Sequence, residues 1–257
     1  MATLNLTVAV AVLGDALLNL KCDDFPPNEH VRYDIFVQNA GADHEAHANE
    51  FLKRNDIRVF FLATLGVANS RNAALERADS DVLLFADDDL TLLTENYGQL
   101  LSFFNKNESV DFVCCRLFDG AGQPFKKYAR NGCRAKRSNC GRVGTPEMAV
   151  RPTSFRKSGT CFDPMFGAGA ALYSGDEYIF LCDALKAGHK GRHLDLFLAI
   201  HDGESTGHAH KADGFYVKDK VLRRALRPWS WPYRCAFAIK HRKKFAGWKD
   251  MLKFVSP

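Results

Sequence analysis

The chain has 257 residues, with 35 Lys and Arg against 30 Asp and Glu, for a formal net charge of +5. At roughly 100–200 residues per domain this is one large domain or two small ones, long enough to fold without a disulfide or metal staple. Hydrophobic residues at 46% and charged residues at 25% exclude a disordered chain, and no apolar run reaches the roughly 18 residues of a membrane-spanning helix. Leu4 to Leu20 is interrupted by Asn5, Asp15 and Asn19 and has no basic leader or small-residue cleavage site, so it is not read as a signal peptide. Cytoplasmic residence is the expectation. The eight cysteines are scattered, and Cys133 and Cys140 lack the paired spacing of a zinc ribbon, so buried reduced thiols are expected rather than a metal site.

In chain order, Thr7 to Leu13 is a continuous valine-rich run ending at Gly14-Asp15, the pattern of a buried strand. Asp23 to Asn28 is loop chemistry. Tyr33 to Gln38 and Ile57 to Leu62 are predicted strands, with a helix over His44 to Arg54 between them. A helix over Asn69 to Ala78, capped near Asn69 or Ser70, leads to a fourth strand, Val82 to Ala86. Val110 to Phe118 is a further strand. Residues 119–162 form a long basic stretch of little periodicity, the kind of segment that is functional or disordered. Asp176 to Ala187 is a helix stopped by Gly188, and Leu194 to Ile200 is a strand. Strands separated by helices imply a mostly parallel sheet, whose ligands bind beyond the carboxyl ends of the strands.

Asp87, Asp88 and Asp89 stand at such an end. Three adjacent carboxylates repel one another and call for a cation, and hard oxygen ligands suit Mg²⁺ or Mn²⁺. Asp87 and Asp89 share a side if the strand conformation persists. Two enzyme classes place acids this way. Asp87-x-Asp89-x-Thr91 fits the motif of haloacid-dehalogenase-like phosphatases, with an aspartate nucleophile. That motif usually lies on the first strand, and Phe180 stands where its later metal-binding acid is needed.

The flanking segments resemble the other class, the family-2 GT-A-fold nucleotide-sugar glycosyltransferases. Gly66-Val-Ala-Asn-Ser-Arg71-Asn72-Ala-Ala-Leu75 resembles the helix that precedes their D-x-D strand. Gly175-Asp176-Glu177-Tyr-Ile-Phe180 resembles their acidic motif, and His201 to Thr206 resembles a late H-x-x-x-S-T segment. These matches follow the family's order over about residues 7–207. The resemblance implies a GT-A-like (Rossmann-like) α/β fold with a mostly parallel central sheet flanked by helices. It also implies inverting transfer of a sugar to a glycan or lipid-linked acceptor in cell-surface polysaccharide synthesis. By the same resemblance, Asp87, Asp88, Asn72 and Gln38 contact the donor, a UDP- or dTDP-sugar, and Arg71 lies near the donor's nucleotide or the D-x-D carboxylates. Asp87 and Asp89 hold Mg²⁺ or Mn²⁺, His201 is a late metal ligand or a diphosphate contact, and Asp176 or Glu177 is the catalytic base. Gln38 stands where many members carry an aspartate that contacts the base of the nucleotide.

The basic charge is localised. Lys126 to Lys157 holds ten Lys and Arg against Glu147, and Lys218 to Pro257 holds twelve against Asp219 and Asp250. The last segment also contains all three tryptophans, Trp229, Trp231 and Trp248, alternating with Arg223, Arg224, Arg227, Arg234, Lys240, Arg242, Lys243 and Lys244. Aromatic and basic residues together suit an interfacial helix on an anionic membrane, in pieces set by Pro228 and Pro232. The same composition suits nucleic-acid phosphates, so a non-catalytic nucleic-acid-binding protein is the rival of another class. For a transferase the membrane surface is favoured and no nucleic-acid partner is expected. The domain reading is a catalytic part over 1–217, with donor binding in about 1–118 and the acceptor side in 119–217. A basic aromatic helical extension over 218–257 follows it, placing the protein peripherally at the inner face of the cytoplasmic membrane.

Overall fold

The computed structural model describes residues 3–202, 214–245 and 247–256. Eight strands form one sheet: β1 (Leu6–Leu13), β2 (Val31–Gln38), β3 (Ile57–Leu62), β4 (Val82–Asp87), β5 (Leu90–Leu92), β6 (Phe112–Asp119), β7 (Met148–Val150) and β8 (Gly191–His201). Their order across the sheet is β3-β2-β1-β4-β7-β6-β8-β5. The first four are parallel, with Leu6 opposite both Val31 and Val82. β7 runs antiparallel between β4 and β6, β8 lies parallel to β6, and the short β5 closes the far edge antiparallel to β8.

The alternation of β1 builds both layers. Val8, Val10 and Val12 enter one core, with Leu17 of α1 (Ala16–Asn19), Phe51 of α2 (Ala42–Phe51) and, around α4 (Tyr97–Lys106), Tyr97, Leu100 and Phe104. Ala9 enters the opposite core with Ala74 and Leu75 of α3 (Val67–Arg77), Phe155 of α5 (Pro152–Ser158) and Phe180 of α6 (Asp176–Lys186). Its centre is an aromatic column. Phe162 lies parallel to Phe180 at 4.0 Å and meets Phe85 edge-on at 5.4 Å.

The predicted strands stand within two or three residues of the observed ones. The sequence patterns do not predict β5, β7, α1, α4 or α5. β5 and β7 are three residues long, too short for a period-2 signal, and α5 and β7 lie inside the stretch expected to be irregular. The α3 cap also differs. Gly66, at φ +96°, is the cap, and Asn69 sits one turn into the helix with its amide donating to the Leu65 carbonyl at 2.6 Å.

The basic C-terminal segment folds into α7 (Gly214–Ala225), α8 (Ser230–Lys240) and α9 (Trp248–Val255). The division drawn at 217/218 falls inside α7. Val217, Val221, Leu222 and Ala225 of α7, with Phe254 of α9, share the core that holds Phe180. Gly175, at φ +91°, has no side chain because a Cβ there would stand 2.5 Å from Val221 Cγ2. Arg234, assigned from sequence to the basic face, is 1% exposed and donates to the carbonyls of Phe254 and, at 2.7 Å, Ser256. Burial of these carbon-rich groups is worth about 1.5–3 kcal/mol per large side chain, comparable with a domain's whole margin of about 5–15 kcal/mol. A chain cut after residue 213 is therefore expected to lose its cooperative urea transition. A full two-state transition in the truncated chain would show that the three helices are an appendage.

Candidate functional site

The sheet places its acids at one edge of the parallel strands. β4 runs through the core and delivers Asp87 at its end, and the turn to β5 carries Asp88 and Asp89. β5 then pairs Leu90 with His201 of β8, which brings His201 Nε2 to 3.3 Å from Asp89 Oδ2. Phe125 packs edge-on against the His201 ring at 4.9 Å. His201 Nδ1 is buried and has no hydrogen-bond partner among the described residues.

Arg71 is the hub. It projects from α3, is 8% exposed, and its guanidinium contacts two carboxylates. One is Asp176, at the first turn of α6, and the other is Asp87 Oδ1 at 3.3 Å. Burial alone disfavours the charged guanidinium, but Asp176, Asp87 and Glu177 outweigh it and its pKa is raised. Asp176 is 3% exposed, so its carboxylate is committed to Arg71. Gly167, at φ +102°, makes room for this pair, since a Cβ there would stand 2.8 Å from Asp176 Cγ.

Glu177 is the less buried of the two acids. Burial, then the adjacent Asp176 carboxylate, pushes its pKa well above the ordinary range. The Lys218 ammonium faces it from α7. Burial lowers the Lys218 pKa, and the Glu177 carboxylate opposes that shift. Lys218 was not foreseen as a site residue, because its segment read as a peripheral tail. Burial pushes Asp88 up to about 6, helped by Asp89 and Asp87 and opposed by backbone hydrogen bonds at Asp88 and Leu13. Asp87 is raised by burial against the pull of Arg71. Three carboxylates, those of Asp176, Asp87 and Glu177, thus act on the Arg71 guanidinium, and Glu177 acts on the Lys218 ammonium as well.

Two of the residues assigned to the donor are otherwise engaged. Gln38 is 4% exposed and its amide donates to the Gly66 carbonyl at 3.1 Å, fixing the α3 cap. Asn72 brackets the Phe162 backbone, donating to its carbonyl at 2.9 Å and accepting from its N–H at 2.7 Å. Both position the walls of the site rather than present open groups to it. The three expected metal ligands separate likewise. Asp89 and His201 meet, while Asp87 turns to Arg71. Among the described residues Asp87, Asp89 and His201 do not form a cluster with ligand atoms within 4.8 Å of one another. The Asp89 carboxylate oxygen and His201 Nε2 fit a divalent cation such as Mn²⁺ or Mg²⁺ as a starting pair. Ser205, Thr206 and Gly207 of the late motif lie outside the described residues.

The burial contrast separates the two acids. Asp176→Asn leaves Arg71 with only the longer Asp87 contact. Removing one partner of a buried pair costs about 3–5 kcal/mol, and the low end is expected because Asp87 remains. Glu177→Gln removes a carboxylate that burial already disfavours, so stability should hold or rise. Urea unfolding of the two variants measures the difference; equal losses would contradict this division of roles.

The fold is shared with solved structures. S. aureus TarS residues 1–349 superimposes with a TM-score of 0.63 at 14% identity, over 86% of this chain and 65% of that one. The same TarS fragment in complex with UDP-GlcNAc gives 0.61. The mannosyltransferase PcManGT from Pyrobaculum calidifontis, in complex with GDP-Man and Mn²⁺, gives 0.58 at 12% identity, over 93% of this chain and 65% of that one. The chain thus spans just under two thirds of these relatives. No curated protein matches it by sequence. Residues 12–159, from β1 through the acidic turn to α5, match the model of glycosyl transferase family 2. The match covers more than half of the chain, and the protein belongs to that family.

Proposed function

We propose that this protein transfers a sugar with inversion from a nucleotide-sugar donor to a glycan or lipid-linked acceptor of cell-surface polysaccharide. The observation that carries this reading is the convergence of Asp87, Arg71, Asp176 and Glu177 from three elements at the carboxyl edge of β4. The phosphatase reading loses ground here, because its nucleophile would be Asp87, which Arg71 engages.

Each group has a task set by its surroundings. Asp88 and Asp89 are the carboxylates of the acidic turn left to face the donor. A divalent cation held at Asp89 and His201 would supply charge neutralisation on the departing diphosphate. Arg71 fixes the distance between the donor edge and the α6 terminus through its two carboxylates. Glu177 is the general base, since Asp176 is committed to Arg71. It removes the acceptor hydroxyl proton as the oxygen attacks the sugar C1 on the face opposite the diphosphate. Lys218 stabilises its ionised form. A UDP- or dTDP-sugar is the donor class. Structures of relatives in complex with UDP, UDP-GlcNAc and GDP-Man support the nucleotide-sugar class, and the Mn²⁺ complex supports the cation.

The two halves of the site are separable by experiment. Asp89→Ala should abolish Mn²⁺-dependent binding of UDP in calorimetry. Glu177→Gln should keep that binding and cut turnover by about 10²–10⁴-fold. A raised pKa on a base means that activity is lost as pH falls through it. The acid limb of kcat/KM should therefore lie above the ordinary glutamate value of about 4.3. Mn²⁺-independent nucleotide binding, or full turnover in Glu177→Gln, would refute the assignment.

The acceptor reading extends to the membrane. Trp229, Trp231 and Trp248 remain more than half exposed, and Arg227, Lys240, Arg242, Lys243 and Lys249 are exposed near them in sequence. No helix among the described residues is long and apolar enough to cross a membrane. A surface of aromatic rings and cations suits an anionic bilayer, where a lipid-linked acceptor resides. The full chain should sediment with phosphatidylserine vesicles at low salt and be released at high salt. Replacing the three tryptophans with alanine should weaken sedimentation; unaltered sedimentation would place the contact elsewhere.

A further inference from the structure

The stretch between β6 and β7 runs for residues 120–147 with no helix or strand beyond one 3-10 turn at Thr145–Glu147. It nonetheless packs closely, with Ala135, Cys140 and Val143 at 7% exposure or less. Cys140 lies at the centre of this packing and is fully buried. It meets Cys114 of β6, 2% exposed, and His193 of β8, 6% exposed. The two sulfurs and an imidazole nitrogen all lie within 4.8 Å of one another. Zinc bonds of about 2.3 Å to sulfur and about 2.0–2.1 Å to nitrogen put neighbouring donors of a tetrahedron roughly 3.5–4 Å apart. The three side chains are thus near the separation a closed site needs.

We propose that Cys114, Cys140 and His193 hold a structural Zn²⁺ that clips the 120–147 segment to the sheet. Two soft thiolates and one imidazole are the donor set that zinc prefers over Mg²⁺ or Mn²⁺. The surrounding bonds support a built site. The Asn139 side-chain oxygen stands 3.1 Å from His193 Nε2 and accepts from the Lys136 N–H at 2.7 Å, while its amide donates to the Arg134 carbonyl at 3.0 Å. This locks Asn139 beside the imidazole and orients the ring. Cys133 packs beside His193 and Asn139. Its carbonyl accepts from the His193 N–H at 2.9 Å, and its sulfur lies 3.8 Å from Asn139 Nδ2. No fourth protein donor joins the three among the described residues. Each of the two thiols that bind the ion gives up its proton to solvent, so the ion with its two thiolates and neutral imidazole carries no net charge.

The clip is separate from the donor edge. His193 and His201 are eight positions apart on β8, about 26 Å at roughly 3.3 Å per residue. The sequence offers no paired-cysteine motif because the ligands come from three distant segments. A metal bound here stabilises the folded state by linkage, since the unfolded chain does not assemble the three donors.

The test uses the full chain, purified in reductant without chelator. Elemental analysis is expected to find zinc at one equivalent per chain. After exchange with Co²⁺, sulfur-to-cobalt charge-transfer absorption should appear and be displaced by zinc. An Asp/His site has no thiolate, so these bands report only the cysteine site. Cys140→Ser and Cys114→Ser should lose them, and His201→Ala should keep them. Absence of the bands in the unaltered chain overturns the proposal even if the variants misfold. Bands that persist in Cys140→Ser, or a Cys114–Cys140 disulfide in the freshly isolated chain, overturn it too.

Discussion

The site depends on one buried cation. Arg71 contacts Asp176 and Asp87 across the gap between α3, α6 and the end of β4. A guanidinium cannot shed its proton at physiological pH, so its burial must be matched by carboxylates. That requirement fixes the position of the α6 terminus relative to the acidic turn. The planar fork spans the two acids, which a lysine ammonium would not do with the same geometry. Arg71 also lies 5.8 Å from the centre of the Phe162 ring, so the pair is walled on one side by the aromatic column of the core. The charge network and the hydrophobic core therefore constrain each other.

This arrangement assigns different electrostatic states to two neighbouring acids. Asp176 is paired and closed to solvent. Glu177, next in the chain, has burial and a like charge working against its ionised form, and an ammonium working for it. Two adjacent carboxyl groups with environments that push them apart can serve two roles, one holding structure and one moving a proton. Because Lys218 comes from α7, the C-terminal helices do more than cover the core. They set the charge balance of the candidate base.

The central strands and α6 were legible because each carries a clean pattern: valine-rich runs, and a helix closed by Gly188 at φ +94°. The acidic turn was legible because three successive aspartates directly after an apolar strand concentrate like charge that only a cation or a positive side chain can offset. What the sequence hid was partnership. Gln38 and Asn72 look like ligand-binding amides, yet their hydrogen-bonding capacity goes to Gly66 and Phe162, 28 and 90 positions away. The meeting of Asp89 with His201 depends on β5, three residues long, pairing with β8. Cys114, Cys140 and His193 are brought together only by the parallel pairing of β6 and β8 and the docking of an irregular segment. Local patterns carry element type; they do not carry which side chains share a pocket.

The basic clusters illustrate the same point in reverse. Read as a surface, residues 126–157 would be a cationic patch. Lys126 is instead paired with the buried Glu147 at 2.8 Å, and Tyr128 and the Gly144 N–H donate to the same carboxylate. Arg151 donates to the carbonyls of Val110 and Phe104, and Arg156 donates to those of Leu75 and Ala78 at the end of α3. These arginines satisfy carbonyls that helix ends and strand entries leave open, a use of charge that stabilises packing rather than recruits a partner. In the C-terminal helices Arg223, Arg224 and Arg234 are bound in the same way, to Asp219, Asp163, Asp183 and Ser256. Among the described side chains from residue 218 on, Arg227, Lys240, Arg242, Lys243, Lys249 and Lys253 are exposed, in the same stretch as the three exposed tryptophans. In the loop Lys127, Arg130, Arg134, Lys136, Arg142 and Lys157 stay exposed with no exposed aromatic ring among them, whereas in the tail exposed cations and exposed rings occur together in one stretch of chain. Such coincidence is what interfacial binding requires, because electrostatic attraction falls off within about 8 Å at physiological salt and needs ring insertion to persist.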